Sequence, residues 1–462
     1  MSKEVKDLKN KLFSKSVNGC AEDRVSISEA EKYCEGYKAF LDKARTERLF
    51  VKEAVALAEA NGFVEFDPSV NYAPGSRIYF NNHKKSMILA VIGTEPVENG
   101  LNIVAAHIDS PRLDLKPNPL YESNELALFK THYYGGIKKY QWTSIPLALH
   151  GVVVKKDGTV VDVSVGDSLD DPCFVITDLL PHLAAEQSKR TLSDGIKGEE
   201  LNILVGSYPF KDDDESELVK LNVLNILFEK YGITESDFLS AELECVPALP
   251  TRDIGFDRSL IGAYGHDDRV CAYPSLTAIF GAEHPAKTAV TILADKEEIG
   301  SVGNTGLDSC FLQYFAEDLA KMQGTDGYKV LRNSKCLSSD VNAAFDPTFP
   351  DVMEPRNASY LNHGVVITKY TGARGKSGSN DASAEFMGEV RAMLDGAGIH
   401  WQTGELGKVD AGGGGTVALY ISGLGADVVD LGVPVLSMHA PFEVVSKYDV
   451  YTTYLAYKAF LK

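Results

Sequence analysis

Apolar residues recur at helical spacing through 28–41, where Tyr37, Phe40 and Leu41 follow Ser28 and Glu31, a pair spaced as a capping box. A second helix is closed by Asn61 and Gly62. The pattern then shortens into strand-like runs at 77–80, 86–92 and 101–106, the last running straight into His107. From about 115 to 250 come short strands at 151–154, 160–163 and 174–176, punctuated by turn signals such as Asp157-Gly158. An acidic loop at 211–217 and a helical stretch at 221–228 complete that segment. Near 254 the alternation of helix and strand resumes, with a helix through Leu276 and Phe280 and a buried, β-branched strand at 287–294. A helix at 311–322, strands at 335–339, 365–367 and 433–438, helices at 380–395 and after Thr416, and a closing helix at 448–461 follow.

This order predicts an α/β fold, a mixed and mostly parallel sheet with helices on both faces. An inserted β-rich second domain at 116–250 divides the first domain into 1–115 and 251–462. The 462 residues are enough for about two or three domains. A net charge of −19 sets the chain against nucleic acid and anionic membranes as partners, because phosphates would be repelled. No apolar run approaches the roughly 20 residues of a membrane span. Seven cysteines without a CxxC pair fit free thiols, and the charged first ten residues lack an apolar signal region. These features predict a cytoplasmic protein.

The chemistry gathers where apolar runs stop. His107, Asp267, Glu298, Asp340 and His439 each follow such a run or open a helix, at what the pattern makes the carboxyl edge of one sheet, where α/β proteins bind ligands. Two imidazoles and three carboxylates are donors for a borderline divalent metal such as zinc. Glu297, next to Glu298, is a spare carboxylate able to move a proton. Singly, each histidine also fits a core position and each aspartate a helix cap; together they are hard to read as capping.

The stretches beginning at His107, Asp267, Asp295, Ser339 and Ser437 resemble, in order and spacing, the aspartyl aminopeptidase and vacuolar aminopeptidase I family of dinuclear zinc exopeptidases. The resemblance implies two divalent ions per subunit, zinc first and manganese or cobalt as substitutes. His107 and Asp340 would hold one and Glu298 and His439 the other, with Asp267 bridging. Glu297 would be the general base that deprotonates the attacking water, and Asp109 would orient an imidazole. A non-proline cis peptide is expected at Asp267–Asp268. The resemblance also makes the insert a dimerisation element of a homo-oligomer, up to a dodecamer, with His182 reaching a neighbouring active site.

Peptides with a free N-terminus are the implied substrates. In the acid-preferring members a lysine on the strand after residue 364 meets the substrate's acidic side chain; here the matching position is Thr368, and Lys369 lies on the other strand face. Arg374 and Lys376 sit in a Gly/Ser-rich loop. A broad or neutral preference is therefore expected in place of strict Asp/Glu specificity. The glycine run at 412–415, including Gly413, could cradle a substrate backbone through its N–H groups, and without a following GK[ST] it is not a nucleotide loop. A metal-dependent deacylase or carboxypeptidase, and a non-catalytic scaffold of the same fold, are the alternatives.

Overall fold

The apolar runs assemble into a nine-stranded sheet. In spatial order its strands are Val64–Glu65, Arg77–Asn82, Ser86–Val91, Ala289–Ala294, Asn102–His107, Lys335–Ser338, Asp427–Gly432, Val365–Thr368 and Trp401–Thr403. The computed structural model describes residues 3–13, 17–21, 24–168, 170–211 and 216–462, so residues 212–215 of the acidic loop lie outside the described residues. The four strands from Ala289–Ala294 to Asp427–Gly432 run parallel, with antiparallel strands added on both sides.

Burial on both faces follows from the composition of these strands. Met87, Leu89, Val104, Ala106 and Leu337 enter one core, while Ile88, Ala90, Ile103, Ala105 and Cys336 enter the other. Fully buried side chains such as Met87, Ile88 and Leu89 each contribute about 1.5–3 kcal/mol of transfer free energy. The first core is covered by helices Arg24–Leu41, Glu47–Ala60, His266–Ile279, Ala384–Gly396 and Lys447–Phe460, and the second mainly by Phe311–Met322. No helix among the described residues is long and apolar enough to cross a membrane.

A seven-stranded antiparallel sheet is built from Arg112–Ser123, Leu126–Tyr134, Leu147–Val154, Val160–Val165, Val175–Ile176, Ile203–Gly206 and Ala241–Pro247. It has its own core around Trp142, Phe129 and Phe238. Its first strand starts at Arg112, close behind His107, so this sheet is tied directly to the strand end that bears the first candidate ligand. A third sheet of five short strands contains Leu260–Ala263, Glu443–Ser446 and Pro434–Leu436.

Two local expectations change. The helix of Ser28 starts at Arg24, so Ser28 lies inside it and is not its cap. The predicted strand 433–438 is shorter and belongs to the five-stranded sheet, because Pro434 has no N–H with which to continue the central ladder. The central strand at this point is Asp427–Gly432, which the pattern misses because Asp430 interrupts its apolar run. Asp430 is nonetheless buried, accepting the Ser338 and Thr416 hydroxyls at 2.7 Å each.

Candidate metal centre

Three of the five candidate ligands lie where parallel strands of the nine-stranded sheet end. His107 is the last residue of its strand, Asp340 follows Lys335–Ser338, and Glu298 lies with Glu297 in the turn Glu297–Ile299 after Ala289–Ala294. The other two are carried by the five-stranded sheet. Asp267 opens the helix His266–Ile279 just after Leu260–Ala263, and His439 follows Pro434–Leu436. The expectation of one sheet edge is thus corrected: the chain leaves the central sheet after Gly432, and the ends of two sheets converge on one cluster. The peptide bond between Asp267 and Asp268 is cis, as the resemblance implied.

Asp267 stands at the centre. Its Oδ1 is 3.1 Å from His107 Nε2 and its Oδ2 is 3.2 Å from His439 Nε2, one oxygen to each imidazole. Asp340 Oδ1 lies 3.9 Å from His107 Nε2, and Glu298 Oε2 lies 3.6 Å from His439 Nε2. Each ring is turned by its other nitrogen. His107 Nδ1 is 3.1 Å from the Asp109 carbonyl oxygen, and His439 Nδ1 is 2.7 Å from that of Gly136. Both Nδ1 atoms therefore donate, which leaves both Nε2 lone pairs aimed at carboxylate oxygens. Approaches this short are met by a proton on each Nε2 or by a cation held between the donor atoms. Donor atoms held about 2.0–2.2 Å from a tetrahedral ion stand roughly 3.3 Å apart, close to the spacings seen here.

Two further features fit a divalent cation. Asp267 Oδ1, Asp268 Oδ1 and Glu298 Oε1 are buried without a hydrogen-bond partner; the close approach of Asp267 Oδ1 to His107 lacks hydrogen-bond geometry. The local charge is also unbalanced. Burial, reinforced by neighbouring carboxylates, pushes Glu297 up to about 7 and holds Glu298 and Asp340 well above the usual carboxylate range. Burial works against the charged form of His439, yet Asp267 and Glu298 outweigh it and lift the imidazole to about 10. A pocket that pulls imidazoles towards protonation and carboxyls towards neutrality has excess negative charge for cations to discharge.

Asp109 organises the same cluster. Fully buried, it accepts the backbone N–H of Glu297 on Oδ1 and that of Glu298 on Oδ2, both at 3.2 Å. Its Oδ1 also lies 3.3 Å from His107 Nδ1, and its Oδ2 accepts the Tyr134 hydroxyl at 2.7 Å. One carboxylate thus orients a candidate ligand and both glutamates.

The sequence reading missed three groups. Asp268 accepts the His107 N–H at 3.3 Å and forms, with His107 and Asp340, a second set of donor atoms within 4.8 Å of one another, beside the set of His107, Asp267 and Glu298. Glu443 accepts backbone N–H groups of Asp267 and His439. Tyr134 reaches Asp109 from the seven-stranded sheet. Only Asp268 left a trace in the sequence, as one more acid beside Asp267.

Among the described residues, the four substrate candidates make no hydrogen bond or ion pair with the candidate ligands. Thr368 is buried and accepts the Asn342 amide at 3.0 Å. Lys369 is exposed and ion-paired with Asp381, which also takes Lys376 at 2.9 Å. His182 sits on the exposed turn Pro181–Leu183. Gly413, at φ +115°, packs so closely on Gly372 and Ala373 that a Cβ would strike the Gly372 carbonyl at 2.1 Å, so its role in the structure is a loop contact.

A family model described as aminopeptidase I zinc metalloprotease (M18) matches residues 40–461. A probable M18 family aminopeptidase 1 of Clostridium acetobutylicum is 51% identical over 433 residues, covering 92% of this chain and 93% of the relative. The crystal structure of an M18 aminopeptidase from Thermotoga maritima superposes with a TM-score of 0.93 at 46% identity, covering 97% of this chain and all of that one. The mApe1 dodecamer of S. cerevesiae shares the fold at 21% identity and a TM-score of 0.75, over 94% of this chain and 97% of its own. An aminopeptidase activity displaces the deacylase, carboxypeptidase and scaffold alternatives. The chain belongs to the aminopeptidase I zinc metalloprotease family, M18.

Proposed function

We propose that this zinc aminopeptidase works with two divalent ions, one held by His107 and Asp340, the other by Glu298 and His439, with Asp267 bridging them. The observation that carries this reading is the Asp267 carboxylate, whose two oxygens face different imidazoles at 3.1 and 3.2 Å. Bound there, the ions supply Lewis-acid polarisation of the scissile carbonyl and make water acidic enough to attack it near neutral pH.

The protein's own groups do the rest. Glu297 is the general base: it takes a proton from the attacking water on its side-chain carboxylate and returns it to the leaving amine. Exposure separates the two glutamates, since the Glu297 side chain keeps 18% of its surface open and that of Glu298 only 3%. The more open carboxylate suits proton transfer, and the closed one suits a ligand. Asp109 fixes the turn that presents both. The substrate's free α-amine is bound among the carboxylates, so N-acetylated peptides are not cleaved.

Broad or neutral N-terminal residues fit this site better than acidic ones, because Lys369 and Lys376 are neutralised by Asp381 and Thr368 is engaged by Asn342. The segment 116–250 acts as the oligomerisation domain within the flanking catalytic domain of 1–115 and 251–462. Its separate core and the exposed Leu179, Leu180, Leu183 and Tyr208 support that role, as does the dodecamer among the structural neighbours. His182 lies in the same exposed apolar stretch and is the residue assigned here to a neighbouring subunit's active site.

The deciding experiment is metal analysis of the purified enzyme together with turnover of an aminoacyl-p-nitroanilide panel. Two ions per subunit and faster hydrolysis of neutral than acidic residues are expected. A single ion per subunit in the fully active enzyme would overturn the bridging role of Asp267.

A further inference from the structure

The sequence Tyr133-Tyr134-Gly135-Gly136 closes the hairpin strand Leu126–Tyr134 of the seven-stranded sheet, and the catalytic reading so far gives it no task. In the structure it lies against the metal centre at three consecutive residues. The Tyr134 hydroxyl donates to Asp109 Oδ2 at 2.7 Å. Gly135 lies so near that a Cβ would come within 3.1 Å of Glu298 Oε2. The Gly136 carbonyl accepts from His439 Nδ1 at 2.7 Å.

We propose that Tyr134 is a positioning residue for the aminopeptidase reaction, acting through Asp109 on the Glu297–Glu298 turn and on the His107 ring. The inference rests on the assignment of Glu297 as base and of His107 and Glu298 as metal ligands. Asp109 is fully buried, and each of its oxygens faces two groups: Oδ1 meets Glu297 N and His107 Nδ1, Oδ2 meets Glu298 N and Tyr134. Among these partners the hydroxyl makes the shortest contact and comes from the other sheet. Without it Oδ2 keeps only the 3.2 Å bond to Glu298 N, and the carboxylate can rotate away from the ring and the turn.

The tyrosine is itself fixed. Arg112 Cζ stands 3.8 Å from its ring centroid. The guanidinium is locked by Asp114 at 2.8 Å and by Glu47 and Glu244 at 3.3 Å each. A ring pinned on its face loses little freedom when its hydroxyl donates, so the contact orients Asp109 at small entropic cost. The seven-stranded sheet thereby takes part in catalysis within its own subunit.

The test is a double-mutant cycle on the full-length, zinc-loaded enzyme, with Tyr134→Phe, Asp109→Asn and the pair. Removing the hydroxyl lowers kcat about 10-fold at saturating zinc, leaves KM within about 2-fold, and weakens zinc retention against a chromogenic chelator about 10-fold. In the Asp109→Asn background the same change costs less than about 2-fold, because its route of action is already lost. Tyr133→Phe, on the exposed neighbour, changes neither readout. Wild-type kcat and zinc retention in Tyr134→Phe, or full additivity with Asp109→Asn, overturns the proposal. If Asp109→Asn is itself fully active, the role given to Asp109 fails; if it is inactive while Tyr134→Phe is normal, only Tyr134 is excluded.

Discussion

Glu443 Oε2 accepts the backbone N–H of Asp267 at 3.0 Å, while its other oxygen takes that of His439 at 2.7 Å. One buried side chain thereby sets the distance between two groups proposed to share an ion. Glutamine in its place would turn an N–H₂ towards one of those N–H donors. Glu443→Gln is expected to weaken zinc binding about 10- to 100-fold, measured by competition with a chelator, and to lower kcat with it.

Glu297→Gln separates chemistry from metal binding. The amide keeps the shape of the turn but cannot take a proton. Turnover of an aminoacyl-p-nitroanilide is expected to fall by about 10²–10⁴-fold, with zinc content and melting temperature unchanged. Wild-type hydrolysis by this variant would remove Glu297 from the role of base.

Chelation offers a second view of the same centre. Dialysis against EDTA is expected to abolish activity, and adding back Zn²⁺, Mn²⁺ or Co²⁺ should restore it to differing extents. Retention of full activity by enzyme shown to be metal-free would contradict the zinc chemistry.

Asp253 ties three parts of the chain together. It pairs with Lys38 at 2.8 Å, Lys447 at 3.0 Å and Arg258 at 2.7 Å, and these cations hold its carboxyl, against the opposing effect of burial, well below its ordinary 3.8. A depressed folded-state value means that the stabilisation is complete above the unfolded value near 4 and is lost as pH falls towards the folded one. Asp253→Asn, which leaves the buried Lys447 without its partner, is expected to lower stability at pH 7. The gap from wild type should narrow below about pH 4 in denaturant titrations.

The legible parts of the site were those carried by side chains on strand ends. His107 and Asp340 follow runs whose burial is written in their β-branched and small residues, so the polar residue after each run marks a sheet edge. Glu443 and Tyr134 were hidden because they act on backbone or on another carboxylate across large sequence separations. Asp430 hid its strand for a related reason: a buried acid satisfied by Ser338 and Thr416 has the same letter as a surface acid. The presence of a second sheet around 115–250 was readable from its turns, but its early start at Arg112, and with it the link to Asp109, was not.

The candidate ligands are spread from His107 to His439, on strands and turns that adjoin only after two sheets have formed. Apart from the neighbours Asp267 and Asp268, no short peptide of this chain holds two of them, so the unfolded chain binds the metal far more weakly than the folded one. Zinc binding energy is therefore folding energy. Free zinc at 100 times its dissociation constant adds about 2.7 kcal/mol per independent site to the stability of the native chain. Scarcity of zinc should then appear first as protein that unfolds and is degraded sooner, and its effect on the amount of enzyme would compound its effect on each molecule's activity.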